Sequence, residues 1–253
     1  MHTPQSARRL SWDGCSNIRD LGGYPTSDGG QTRWRSLVRA DTLCHLTADG
    51  RAALLDYGVL TVVDLRRSDE LRLDPNPFAA PLGQAGIVTY LNLPLGAGAS
   101  SDERTAVKAA SETTLEALFC AVLDNYWRGI AAILAAIAGA PEGVVLFHCH
   151  AGKDRTGLVA GLLLALAGVP YPTIAEDYAL SGVCLQPIYA ERLRQEPDPA
   201  QRARMAAWMS TAPETMLGIL AHLDAKHGGA ERYLLTSGVT EADVERIRRR
   251  LRA

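Results

Sequence analysis

The chain has 253 residues, 47% of them apolar and 21% charged, with a formal net charge of −2. That composition is that of a soluble globular protein. The near-neutral charge offers no general attraction to nucleic acid or membrane, so no nucleic-acid partner is expected. Arginine far outnumbers lysine, which occurs at Lys108, Lys153 and Lys226. Five cysteines at 15, 44, 120, 149 and 184 are odd in number and contain no Cys-x-x-Cys pair. They imply neither a disulfide framework nor a zinc ribbon, and they suit a reducing, cytoplasmic setting. The first ten residues lack the apolar stretch of a signal peptide, although non-classical secretion stays open. The longest apolar run, Leu158 to Val169, is shorter than the ~20 residues of a membrane span.

In chain order, strands are predicted over Gln31 to Ala40, Val59 to Leu65, Ile87 to Leu93 and Val144 to His148. Their β-branched runs do not alternate with polar residues, which predicts burial on both faces and a mainly parallel sheet. Helices are predicted at Thr47 to Tyr57, Thr113 to Ala138 and Arg155 to Ala167, giving a layered α/β core over about residues 10–171. From about 172 to 253 only helices are expected, as a C-terminal cap on the same single domain. One starts with Thr173 as N-cap and Glu176 at the capping-box position. A break falls at Pro197-Asp198-Pro199. Glu214 to His227 stops at Gly228-Gly229, and Thr240 to Leu251 carries acids early and arginines late.

Chemistry concentrates at His148-Cys149-His150-Ala151-Gly152-Lys153-Asp154-Arg155-Thr156-Gly157. A strand ends at His148 and an apolar helix starts near Arg155, with a glycine-containing turn between them. Such a turn aims backbone N–H groups and the positive end of a helix at one point, which makes an anion cradle. Arg155, six residues after Cys149, can grip two phosphate oxygens with its planar fork. Together these groups favour a Cys149 thiolate facing a bound phosphate, ready for displacement through a phosphocysteine. A Walker-type nucleotide loop is a poor fit, because Asp154 stands where Ser or Thr must follow the lysine. The spacing supplies no convincing metal-ligand set, so neither metal nor cofactor is expected.

Cys-x5-Arg followed by Thr resembles the protein tyrosine phosphatase superfamily. The fuller His-Cys-x-Ala-Gly-Lys-Asp-Arg-Thr-Gly is similar to its atypical bacterial branch, typified by mycobacterial phosphatase B, which acts on phosphoproteins and phosphoinositides. Asn17-Ile18-Arg19-Asp20-Leu21-Gly22-Gly23, Asp64-Leu65-Arg66 with Ser68 and Glu70, and Asp177-Tyr178 with Ser181 carry the likeness along nearly the whole chain. The resemblance implies Cys149 as nucleophile and Arg155 as phosphate binder and transition-state stabiliser. It also implies a Thr156 hydroxyl that bonds the departing thiolate, and a supporting His148. The rest of the phosphate loop, His150, Ala151, Gly152, Lys153 and Asp154, would hold substrate, with Lys153 as a second cation at the rim. Two acids are available for the leaving group: Asp154, within the loop and favoured, and Asp102, on an upstream loop. Phosphoprotein and phosphoinositide are both open as substrates. Arsenate reduction would need Cys120 or Cys184 close to the nucleophile.

Overall fold

The computed structural model describes residues 5–79 and 87–252. The first half runs α1 (Gln5–Arg8), β1 (Arg19–Asp20), β2 (Leu37–Ala40), α2 (Ala48–Asp56), β3 (Val59–Asp64), α3 (Ser68–Leu73) and β4 (Thr89–Asn92). It continues through α4 (Ser101–Ala110), α5 (Leu115–Asn125), α6 (Trp127–Gly139), β5 (Val144–His148) and α7 (Asp154–Leu166). The rest is helical: α8 (Tyr171–Gln195), α9 (Pro199–Met209), α10 (Pro213–His227), α11 (Ala230–Thr236) and α12 (Glu241–Leu251).

The strands form one sheet in the order β1-β2-β5-β3-β4, antiparallel only between β1 and β2. The mainly parallel sheet flanked by helices and the helical C-terminal region follow the sequence expectation. β5 is buried along its whole length, and its pleat explains why. Val145 and Phe147 face the larger core, with α5, α6, α7 and α10, while Val144 and Leu146 face the smaller one, with Trp12, Leu43 and Leu54. A strand covered on both faces has no reason to alternate with polar residues. Each large apolar side chain fully buried there is worth roughly 1.5–3 kcal/mol. α7 is apolar on every side for the same reason, since it is enclosed between the sheet and the C-terminal helices.

Four sequence expectations change. The first long strand is confined to Leu37–Ala40, because Arg35 has φ 54° and breaks the extended path; Gln31 and Thr32 make only isolated bridges. The helix over Thr113 to Ala138 is two helices, α5 and α6, bent by 78° where Tyr126 leaves helical geometry. Thr173 does not cap a helix: α8 begins earlier, at Tyr171, with Pro172 in its first turn where a missing N–H costs nothing. Glu176 is therefore an ordinary helical residue. α3 and α4 occupy stretches the sequence left unassigned, α4 closed by a reciprocal Ser100–Glu103 capping box. Asp198 N-caps α9, Thr240 N-caps α12, and Gly228 ends α10 in the left-handed region at φ 75°. Among the described residues, no single helix is long and apolar enough to cross a membrane.

Register sets the place of chemistry. Ala40, His148, Asp64 and Asn92 lie level across β2, β5, β3 and β4, so the carboxyl ends of four parallel strands converge. Crevices at that edge of an α/β sheet are where such folds bind ligands.

Candidate active site

The loop from His148 to α7 is anchored through its carbonyls. His148 O accepts from Leu65 N (2.8 Å) and His150 O from Thr42 N (2.8 Å). Cys149 O lies 2.9 Å from His148 Nδ1, and Ala151 O accepts from Asn17 Nδ2 at 2.9 Å. Arg39 Nη2 donates to Gly152 O at 2.7 Å and to Lys153 O at 3.3 Å. Every carbonyl from 148 to 153 is thus engaged with the body of the protein. By contrast, no backbone N–H of residues 149–153 donates a hydrogen bond among the described residues. Carbonyls turned outward and N–H groups left free are what an anion cradle requires. Gly152 is held at φ 64°, and a Cβ there would sit 2.5 Å from Ala40 O. Only glycine fits both the left-handed backbone and that close approach.

The anchors are themselves fixed by buried charge. Asp177 receives Arg19 Nε at 2.7 Å, Arg39 Nη1 at 2.5 Å and the Tyr24 hydroxyl at 2.7 Å. Burial alone would raise the Asp177 carboxyl, but the two guanidinium groups and Tyr24 hold it well below the usual range. Arg19 also grips Asn17 Oδ1, and Asp41 accepts the N–H groups of Ser16 and Asn17. Asn17 is therefore held at its side-chain oxygen and its N–H before it meets the loop. On the other flank, Asn76 Oδ1 accepts from Phe78 N, which makes Nδ2 the donor to both Asp64 and His148 Nε2. Nε2 then accepts, and the His148 proton sits on Nδ1, donated to the Cys149 carbonyl. His148 supports the loop through its backbone, at the Cys149 carbonyl. Asp64 is pulled below the ordinary range: burial opposes this, and the Arg66 guanidinium, bonded to both carboxylate oxygens, outweighs it.

Cys149 lies beneath the loop with 2% of its surface exposed. The Arg155 guanidinium meets Glu70 end-on, Nη1 to Oε2 at 2.6 Å and Nη2 to Oε1 at 2.7 Å. That contact leaves its Nε–Nη2 edge for two phosphate oxygens. Burial works against the charge on Arg155, but Glu70 and Cys149 stabilise it and raise its pKa. Thr156 Oγ1 is buried with no hydrogen-bond partner among the described residues. The expected bond belongs to the step in which the thiolate departs. An orphan hydroxyl at this position needs a partner, and the reacting thiolate would be one.

His150 is half-buried, and desolvation favours its neutral form. Ala151 contributes backbone only. Lys153 departs most from expectation: its side chain is buried, with Nζ on Trp208 O (2.9 Å), Ser210 O (3.2 Å) and Asp154 Oδ1 (2.7 Å). It fastens the end of α9 instead of standing as a cation at the rim. Asp154 is partly exposed and also receives the Tyr178 hydroxyl at 3.3 Å. Asp102 is exposed in the first turn of α4. A cleft of about 670 Å³ reaches Asp154, Arg155 and Trp208, with apolar walls including Leu65, Leu95, Phe119 and Val122. Asp102 does not line it. Cys184 lies close to Arg19 and Cys120 close to Asp124 and Lys226. Both are free thiols, and no hydrogen bond joins either to Cys149 among the described residues.

The chain matches the tyrosine phosphatase family over residues 10–253. It belongs to that family. A tyrosine-protein phosphatase of Nostoc commune is 32% identical over 222 residues, covering 85% of this chain and 74% of that one. The triple specificity protein phosphatase PtpB of Mycobacterium tuberculosis is 28% identical over 276 residues, covering 93% of this chain and 96% of that one. As a tyrosine phosphatase the protein is a phosphoester hydrolase, and the residues that sequence reasoning missed are its supports. Arg39 sat unmarked in a predicted strand, and Asn76 and Asp41 in loops. Only the cost of burying a charge could have flagged Arg39, and burial was not visible.

Proposed function

We propose that the protein hydrolyses phosphotyrosine in proteins through a phosphocysteine on Cys149. The reading is carried by the loop whose carbonyls are all turned outward above a buried cysteine. Free N–H groups and the Nε–Nη2 edge of Arg155 would take the three non-bridging phosphate oxygens. The sulfur would then attack phosphorus in line with the ester oxygen, and the S–P bond forms as the P–O bond breaks. Asp154, which lines the cleft, would give its proton to the departing oxygen. Its distance from the phosphate is set by the loop, whereas Asp102 would have to travel. Water then splits the thiophosphate, and the Thr156 hydroxyl would bond the released thiolate.

The apolar cleft flush with Arg155 suits an aromatic ring, which supports phosphotyrosine over a short aliphatic phosphoester. The triple specificity in the name of the mycobacterial relative favours a wider range, for which phosphoserine, phosphothreonine and phosphoinositides are the candidates. The inward turn of Lys153 weakens the case for a multiply phosphorylated inositol, because it removes the second cation from the rim. A cytoplasmic setting is proposed on the five free cysteines. A panel of phosphotyrosine, phosphoserine and phosphothreonine peptides with mono- and bis-phosphorylated inositides tests the order. The expected kcat/KM is highest for phosphotyrosine. A higher value for any inositide would replace this reading with a lipid phosphatase.

A further inference from the structure

The spacing of histidines and acids along the sequence suggests no metal site, yet the fold joins three of them away from the phosphate loop. Asp124 lies at the end of α5, and His222 and His227 lie in the last turns of α10. His222 Nε2 is 3.0 Å and His227 Nε2 2.8 Å from the same oxygen, Asp124 Oδ1, and one ligand atom from each residue lies within 4.8 Å of the others. We propose that Asp124, His222 and His227 bind a divalent transition ion of the zinc class, with water completing the coordination.

The chemistry of the donors selects the ion. Two imidazoles and one carboxylate are the ligand types zinc takes, at about 2.0–2.2 Å, so tetrahedral neighbours stand roughly 3.3 Å apart. The two nitrogen–oxygen separations need to open by only a few tenths of an ångström, and the two nitrogens lie within 4.8 Å of each other. Calcium and magnesium prefer oxygen-only sets and are disfavoured. Lys226 binds the other carboxylate oxygen, Oδ2, at 2.8 Å and leaves Oδ1 to the histidines. The His227 ring packs edge-on against Tyr233 with centroids 5.0 Å apart, and the Tyr233 hydroxyl is tied to Leu123 O at 2.9 Å. One ligand is thus braced by the residue before another. Side-chain exposures of 19–27% leave the cluster open to solvent, which lets an ion enter and keeps a water on it.

The consequence is structural. α5 supplies Leu118, Phe119 and Val122 to the substrate cleft, and α10 packs against both α5 and α8. An ion at Asp124 would staple the cleft wall to the C-terminal helices and take no part in bond breaking.

Calorimetric titration of zinc chloride into the full chain carrying Cys149→Ser, which removes a competing thiol, tests the site. One equivalent is expected to bind with Kd below about 1 μM, with a rise in thermal midpoint. Cobalt(II) in place of zinc is expected to give the strong visible absorption of a tetrahedral site. Adding His222→Ala and His227→Ala together should weaken binding by more than about 100-fold, beyond the 10–100-fold typical of outer-shell partners, and abolish the midpoint shift. Asp124→Asn, nearly isosteric, should weaken binding while keeping the metal-free midpoint close to that of the parent. Absence of binding tighter than about 0.1 mM in the parent, or equally tight binding in the double-histidine variant, overturns the proposal.

Discussion

The phosphate loop and the helical cover above it are held by opposite means. Behind the loop stand two buried clusters, Arg19 and Arg39 paired with Asp177, and Asp64 joined to His148 through Asn76. On the cover, α9 buries no residue, and its end is fastened by the Lys153 ammonium to two carbonyls. The loop must keep its N–H groups aimed at one point through every turnover, so its position is over-determined. In the proposed reaction the cover would let a substrate in, and a few polar bonds suffice for it. Rigidity is placed where electrostatic preorganisation matters and withheld where access matters.

The largest expected effect strikes the loop's chemistry. Cys149→Ser should reduce turnover of p-nitrophenyl phosphate by more than about 1,000-fold while vanadate still binds. Turnover at a tenth of the parent rate would remove Cys149 from the nucleophile role. Next comes the support behind it. Arg39→Met strips one partner from the buried pair and frees two loop carbonyls, at a cost of about 3–5 kcal/mol, measured by urea denaturation. Asp177 is the matching pH probe. Its carboxyl is depressed in the folded state, so its contribution is complete above an unfolded value of about 3.9 and is lost as pH falls below it. Acid unfolding of the parent should therefore steepen below about pH 4, and Arg39→Met should show a shallower acid dependence. An unchanged slope would mean that Arg39 contributes little to the Asp177 field.

At the seam between loop and cover, Asp154→Asn should slow a phenyl ester with a poor leaving group by roughly 100-fold. An activated ester, whose leaving group departs unaided, should be slowed far less. Asp102→Asn should do neither, and leaving-group dependence in that variant alone would assign the proton to α4. The smallest effect belongs to the cover. Lys153→Met should release α9 at a local cost of about 1.5–3 kcal/mol, seen as faster proteolysis between α8 and α10. KM should change by less than about tenfold, a ceiling corresponding to 1.4 kcal/mol. Unchanged proteolysis would mean that other contacts hold the cover shut.

The sequence by itself determined the chemistry and the layer in which it sits. The strand ending at His148, the Cys149-to-Arg155 spacing and the apolar helix behind it are local facts, legible because loop, dipole and proposed nucleophile are contiguous. The sheet was legible for a similar reason: burial on both faces leaves a visible run such as Val144 to Phe147. The tertiary structure alone decided which distant groups hold that loop. Arg39 reaches Gly152 across 113 positions and Asn17 reaches Ala151 across 134, and no periodicity encodes such a meeting. Lys153 shows the limit most clearly. Its place in the loop suggested a cation for substrate, but where its long side chain points was settled by two carbonyls more than fifty residues away. The Asp124, His222 and His227 cluster is of the same kind, assembled by the packing of α5 against α10. A backbone motif fixes its own geometry through short-range sterics, whereas a side chain's partner depends on which elements the whole core brings within reach.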